Sequence, residues 1–202
     1  MEIRRARVAD VPRIAALVER FAGRGEILPR RMEEVYQTLR EWVVAEQAGS
    51  IVGCGALMIL WAGLAEVRSL VVAPEAQGGG LGRGLVVALL EQAAELEIPQ
   101  VFALTRKTGF FLRLGFQVIP RESLPRKIWK DCITCTKFVG CDEVAVTRAV
   151  DGVGELVGGR LVEGRLVGGT GEMAGRIRTN LPTNQSTSLP LYQSPNFLIF
   201  HK

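Results

Sequence analysis

The stretch SLVVAPEAQGGGLGRGLVVALL (69–90) constrains the fold most. An apolar β-type run ends at a proline, three glycines follow, and a helical apolar pattern begins at once. A strand must hand over to a helix through a turn with little side-chain cover. Gln77, Gly80 and Gly82 fit the spacing Q-x-x-G-x-G. Glycines bring backbone N–H groups close to a ligand, and a helix N-terminus adds unpaired donors and the positive end of its dipole. The expected guest is an anion such as a pyrophosphate. Gln77, Gly78, Gly79, Gly80, Leu81, Gly82 and Arg83 are the candidate residues.

Two other phosphate loops are excluded. A G-x-G-x-x-G fingerprint laid on Gly78 and Gly80 meets Arg83 where its third glycine belongs. No GK[ST] follows, so the turn is not a P-loop.

The rest of the chain divides near residue 150. Residues 1–150 have regular apolar periodicity and read as one mixed α and β domain. The strands expected are 2–8, 42–47, 51–60, 64–73, 101–105, 116–119 and 143–150, with the apolar density of 64–73 placing it centrally. Asp10 is the expected N-cap of a helix running to Ala22, with Pro12 in its first turn. A second helix is expected from Pro29, a third over 81–97, and a short one through Phe111. Residues 151–202 carry the near-repeat RLVEG–RLVGG and then a Ser-, Thr-, Asn- and Pro-rich end. Dense glycine makes ordering costly, so this segment is expected to be a flexible tail holding at most a local hairpin or two.

Composition excludes several classes. The 202 residues are 48% hydrophobic and 23% charged, with a formal net charge of +4. Acidic and basic residues are interleaved, so no nucleic-acid partner is indicated. No apolar run reaches the ~18 residues of a membrane span, and the start MEIRRARVADVPRI has no signal-peptide core. A cytoplasmic protein with reduced thiols is expected. The only histidine, His201, lies in the tail, so histidine chemistry in the domain is not expected. Cys132, Cys135 and Cys141 form a CxxC-x5-C cluster with three thiols and no histidine. A structural zinc wants four ligands, so no metal is expected there.

A second motif, GFFLRLGF (109–116), follows the strand after the glycine turn. Together the two motifs resemble the GNAT superfamily of acyl-CoA N-acyltransferases, over about residues 1–150. The resemblance implies an α/β (α+β) fold, a mixed and mostly antiparallel central sheet flanked by helices, in the order βααβββαβαββ. It implies acetyl-CoA as co-substrate, its pyrophosphate on the glycine turn and its thioester beside Phe110 and Phe111. Leu70, Val71 and Val72 match the strand segment that offers N–H to the thioester oxygen. Glu66 matches the usual base, although an ion pair with Arg68 on the same strand face is the other reading. The family commonly places tyrosine where Phe111 stands, so Thr105 becomes the candidate donor to the leaving thiolate.

Three further segments, GEILPRR (25–31), VGCGALMILWAGLAEVRSLVV (52–72) and LPRKIWKDCITCTKFVGCDEVAV (124–146), are similar to the short single-domain N-acetylglutamate synthases of bacterial arginine biosynthesis. That resemblance implies transfer of acetyl to L-glutamate. A dicarboxylate needs cationic donors, and Arg30, Arg31, Lys127 and Lys130 are the candidates. Met58 stands where some longer members carry a substrate-holding lysine. Other acceptors remain open, among them another small amine or a protein N-terminus, as does a non-catalytic acyl-CoA- or metal-binding module. A homodimer suits the fold, though no sequence feature dictates one.

Overall fold

A computed structural model of the chain describes residues 1–61, 63–124 and 140–153, with the backbone of two short strands beyond them. The order is β1 (Glu2–Arg5), α1 (Val11–Ala22), α2 (Met32–Gln37), β2 (Trp42–Gln47), β3 (Ser50–Trp61), β4 (Leu64–Val72), α3 (Leu81–Glu95), β5 (Gln100–Thr105), α4 (Thr108–Leu112), β6 (Gln117–Val118) and β7 (Val144–Ala149). A two-stranded hairpin follows, β8 (Glu155–Val157) with β9 (Arg160–Val162), inside the segment read as tail. Residues 151–153 precede the hairpin, and residues 154, 158–159 and 163–202 lie outside the described residues.

Seven strands form one sheet in the order β1-β2-β3-β4-β5-β7-β6. Every neighbouring pair is antiparallel except β4 and β5. The expected mixed, mostly antiparallel sheet with a central β4 is therefore present. Each face carries its own core. Trp42 and Val44 pack with Val11, Ile14 and Val18 of α1, while Val43 and Ala45 pack with Leu85, Val86 and Leu89 of α3. This two-sided cover explains why WVVA is apolar without alternation. Each fully buried aliphatic side chain contributes about 1.5–3 kcal/mol.

Three local expectations are corrected. The first strand ends at Arg5, because residues 8–10 form a 3-10 turn. Asp10 stands at the N-cap of α1, as expected, but its side chain makes no capping bond to the helix. Its carboxylate instead accepts the Arg7 backbone N–H at 2.7 Å and both Arg4 terminal nitrogens, at 2.7 and 3.0 Å. With the guanidinium fork and the Arg7 amide on it, the carboxylate is turned back toward β1 and away from the amides of the first turn of α1. Arg4 also donates to Glu46 at 2.6 Å, so the buried carboxylate sits in a triad tying β1 to β2. The second helix starts at Met32 rather than Pro29, with Arg31 still extended (φ −69°, ψ 149°). Arg30 turns to pair with Glu34 at 2.9 Å, which holds this extended run beside the first turn of α2.

Candidate active site

Both ladders of β4 change character near its middle. The parallel ladder to β5 pairs Leu64 with Gln100, Ala65 with Val101 and Glu66 with Phe102, then ends. Yet β4 runs on to Val72 and β5 to Thr105. Parallel strands that stop pairing diverge, and a wedge opens between them.

On the other side, β3 pairs Ala56 with Arg68 and then Cys54 with Val71. Ser69 and Leu70 together oppose Gly55, which is a β-bulge. Ser69 takes the left-handed conformation, at φ 51°. The extra residue swaps the faces of the strand. Ala65 and Val67 belong to the α3-side core, whereas Val71 and Ala73 belong to the α1-side core. Without the bulge all four would share one face. A methyl at Gly55 would lie 3.1 Å from Leu70 Cδ1 and 3.2 Å from Leu89 Cδ1, so glycine is what lets Leu70 fold inward.

The glycine turn closes the far end of the wedge. Gln77 donates its side-chain amide to the Val72 carbonyl at 2.9 Å, fastening the turn to the strand end. Gly80 precedes α3 in the left-handed conformation (φ 79°), and nothing lies within 4 Å of a Cβ placed at Gly78, Gly79 or Gly80. The backbone there is open to a ligand beside the first turn of α3. A Cβ on Gly82 would sit 3.4 Å from the Phe110 ring. Phe110, Phe111 and Phe116 follow one another edge-to-face, with centroids 5.2 and 5.1 Å apart.

These elements enclose a cleft of about 1340 Å³, running from the loop between α1 and α2, past Glu66–Val72, to the glycine turn and α4. Glu66, Leu70, Val71, Val72, Gln77, Gly78, Gly80, Leu81, Gly82, Arg83, Thr105, Phe110 and Phe111 all line it, as does Arg30. Gly79 and Arg31 do not; Arg31 is exposed on the helix start. Lys127 and Lys130 lie outside the described residues, as do Cys132 and Cys135. Cys141 is half-buried in the cleft wall, 3.8 Å from a Glu143 carboxylate oxygen. Among the described residues no group of three His, Cys, Asp or Glu side chains is placed to hold a metal.

Charge in the cleft is organised by buried partners. Arg68, 8% exposed, donates to Glu41 at 2.9 Å from the turn that precedes β2. Burial raises the Glu41 carboxyl above its ordinary range, and the Arg68 guanidinium opposes that rise. Thr105 Oγ1 accepts the Lys107 backbone N–H at 2.9 Å, which orients its hydroxyl at the strand end. Arg106 spans the cleft mouth, donating to the carbonyls of Gly25 (2.7 Å) and Glu26 (2.9 Å) and standing 3.6 Å from Asp142. The Cys54 thiol is buried and pushed up to about 12, which makes it inert.

The sequence reading did not place Arg68 or Arg106 in the cleft, whereas Cys141 lies in its wall, as expected for the cysteine segment on the acceptor side. Arg68 had a visible signal, a second charge beside Glu66 inside a largely apolar central strand. Arg106 had none, because its partners are backbone carbonyls 80 and 81 positions away.

Comparison with known proteins agrees with this architecture. The family model for the acetyltransferase (GNAT) domain matches residues 38–118. An uncharacterized N-acetyltransferase of Chlorobaculum tepidum is 38% identical over 148 residues, 73% of this chain and 96% of that protein. The amino-acid acetyltransferase of Mycobacterium tuberculosis is 42% identical over 132 residues, 64% of this chain and 75% of that one. Among solved structures, N-acetylglutamate synthase from Neisseria gonorrhoeae, complexed with coenzyme A and N-acetyl-glutamate, superposes with a TM-score of 0.67 at 32% identity. That match covers 74% of this chain and 35% of the gonococcal one.

Proposed function

The chain belongs to the GNAT acetyltransferase family, and on that premise we propose that it carries the acetyl group of acetyl-CoA to the α-amine of an amino acid, L-glutamate first. The observation that carries the proposal is the wedge between β4 and β5, which opens at the bulge beside the N-terminus of α3. The relative in Mycobacterium tuberculosis supports an amino-acid acceptor, and the gonococcal complex supports glutamate. The product would then enter arginine biosynthesis at its first step.

The residues divide the work by position. The open backbone at Gly78 and Gly80, with the first turn of α3, receives the pyrophosphate. Arg83 adds charge beside it. The thioester lies in the wedge, where an N–H of Leu70–Val72 donates to its oxygen. Glu66 takes a proton from the acceptor ammonium, directly or through water. The freed lone pair attacks the carbonyl carbon, the carbonyl electrons move to the oxygen, and collapse of that adduct expels the coenzyme A thiolate. Phe111 has no proton to give, so Thr105 is the donor candidate in the cleft wall, and a thiolate also leaves tolerably without one. Arg30 supplies a guanidinium for an acceptor carboxylate.

The test is coenzyme A release by the purified protein across a panel of amines. Preference for glutamate supports the proposal. Release with polyamines or aminoglycosides but not with glutamate would sink it.

A further inference from the structure

Resting on that reading of the cleft, we propose that Arg68 anchors the acceptor's α-carboxylate, so that the enzyme selects α-amino acids over amines lacking that group. The argument begins with position. Glu66 and Arg68 are alternate residues on β4, before the bulge, so they share one face at about 6.7 Å spacing. The bulge at Ser69–Leu70 comes next. An amine that is deprotonated by Glu66 and attacks a thioester held at Leu70–Val72 must therefore pass over Arg68. In an α-amino acid the carboxylate sits on the carbon that bears the amine. Arg68 is the cation on that same strand face, between Glu66 and the bulge, and it lines the cleft. Met58 stands opposite Glu66 on β3 and offers no charge.

Burial strengthens the case. Arg68 is 8% exposed and lies in a strand covered on both faces. Glu41, outside the cleft lining, holds it at 2.9 Å. A buried ion pair is a poor device for stability alone, because well-packed apolar residues serve as well or better. As a positioning device the pair makes sense. Glu41 fixes the orientation of the guanidinium, and a planar guanidinium carries five donors in a geometry that matches carboxylates. The same positive charge disfavours an ammonium beside it, which assists proton removal and disfavours polycationic acceptors.

Steady-state kinetics test this with glutamate, with glutamate amidated only at its α-carboxyl, and with acetyl-CoA. The wild type should discriminate against the α-amide by about 100-fold in kcat/KM. Arg68→Gln should raise the glutamate KM by a similar factor, leave the acetyl-CoA KM unchanged, and nearly abolish the discrimination; Arg68→Lys should restore part of it. Arg68→Gln also strands Glu41, so the double variant Arg68→Met with Glu41→Leu serves as a folding control and should show the same loss of discrimination. A wild type active on glutamate but indifferent to the α-amide overturns this inference and leaves the acetyltransferase reading standing. Discrimination that survives in both variants overturns it too. Failure of the wild type on every α-amino acid removes both.

Discussion

Leu70 folds over Gly55, so closely that one methyl group on that glycine would come within 3.1 Å of Leu70 Cδ1. This pair is the hinge of the active cleft, since Gly55 is the single β3 residue facing the two-residue bulge of β4. Gly55→Ala should cost about 1–3 kcal/mol by overpacking. It should also shift the bulge amides, lowering kcat more than it raises the acetyl-CoA KM. Urea denaturation with kinetics on the same sample reads both, and an unchanged kcat would separate the bulge from catalysis.

Glu66→Gln keeps the side-chain shape and removes the proposed base. Turnover should fall by about 100-fold, with the deficit greatest at lower pH, where the acceptor is harder to deprotonate. If the pH–rate profile keeps its shape, Glu66 is not the base.

Asp10 links pH to stability. Hydrogen bonds from Arg4, ahead of the Arg7 N–H, hold its carboxyl below the ordinary range. A depressed carboxyl stabilises the fold above its unfolded pKa, and that contribution is lost as pH falls through the folded value. Asp10→Asn should cost about 3 kcal/mol at pH 7. The gap between variant and wild type should narrow below about pH 4. A gap that is constant with pH would show that the charge is not what matters.

Arg106 clasps the loop between α1 and α2 by two backbone carbonyls. Arg106→Ala should release that loop, raising the acceptor KM several-fold and lowering the melting temperature by a few degrees, because each of the two bonds is worth about 1 kcal/mol. Faster proteolytic cleavage near Gly25 would accompany it. Equal KM values and equal cleavage would mean the clasp has no bearing on the acceptor.

The domain boundary is also testable. Val150 is buried, and Val153 packs on the α3-side core and donates its N–H to the Val150 carbonyl at 3.4 Å. A chain ending after Val153 should stay folded and release coenzyme A. One ending after Val150 should melt at a lower temperature. Equal melting would put the boundary at 150, as composition suggested.

Much of this was legible in one dimension because it is local. The hand-over from β4 through Gly78–Gly80 to α3 needs only a proline, glycines and an apolar repeat, all close in sequence. The continuous apolar run of WVVA reported a two-sided strand for the same reason. The motif pair Q-x-x-G-x-G and GFFLRLGF placed the glycine turn and the phenylalanine cluster in the cleft. What went astray depended on partners distant in sequence or in competition. Asp10 has the composition of a cap, but Arg4 claims its oxygens. Pro29 suits a helix start, but the chain stays extended through Arg31. The bulge at Ser69–Leu70 appears only when β4 is laid against β3, since a register shift belongs to two strands and to neither alone. Arg68 turns from an ordinary charge into a held guanidinium only when Glu41, 27 residues earlier, is folded against it. Sequence by itself determined the elements and the glycine turn between β4 and α3, because short-range sterics and periodicity decide those. Tertiary structure decided where β4 and β5 part and which charges face the cleft, because long-range pairing and desolvation act only on the assembled sheet.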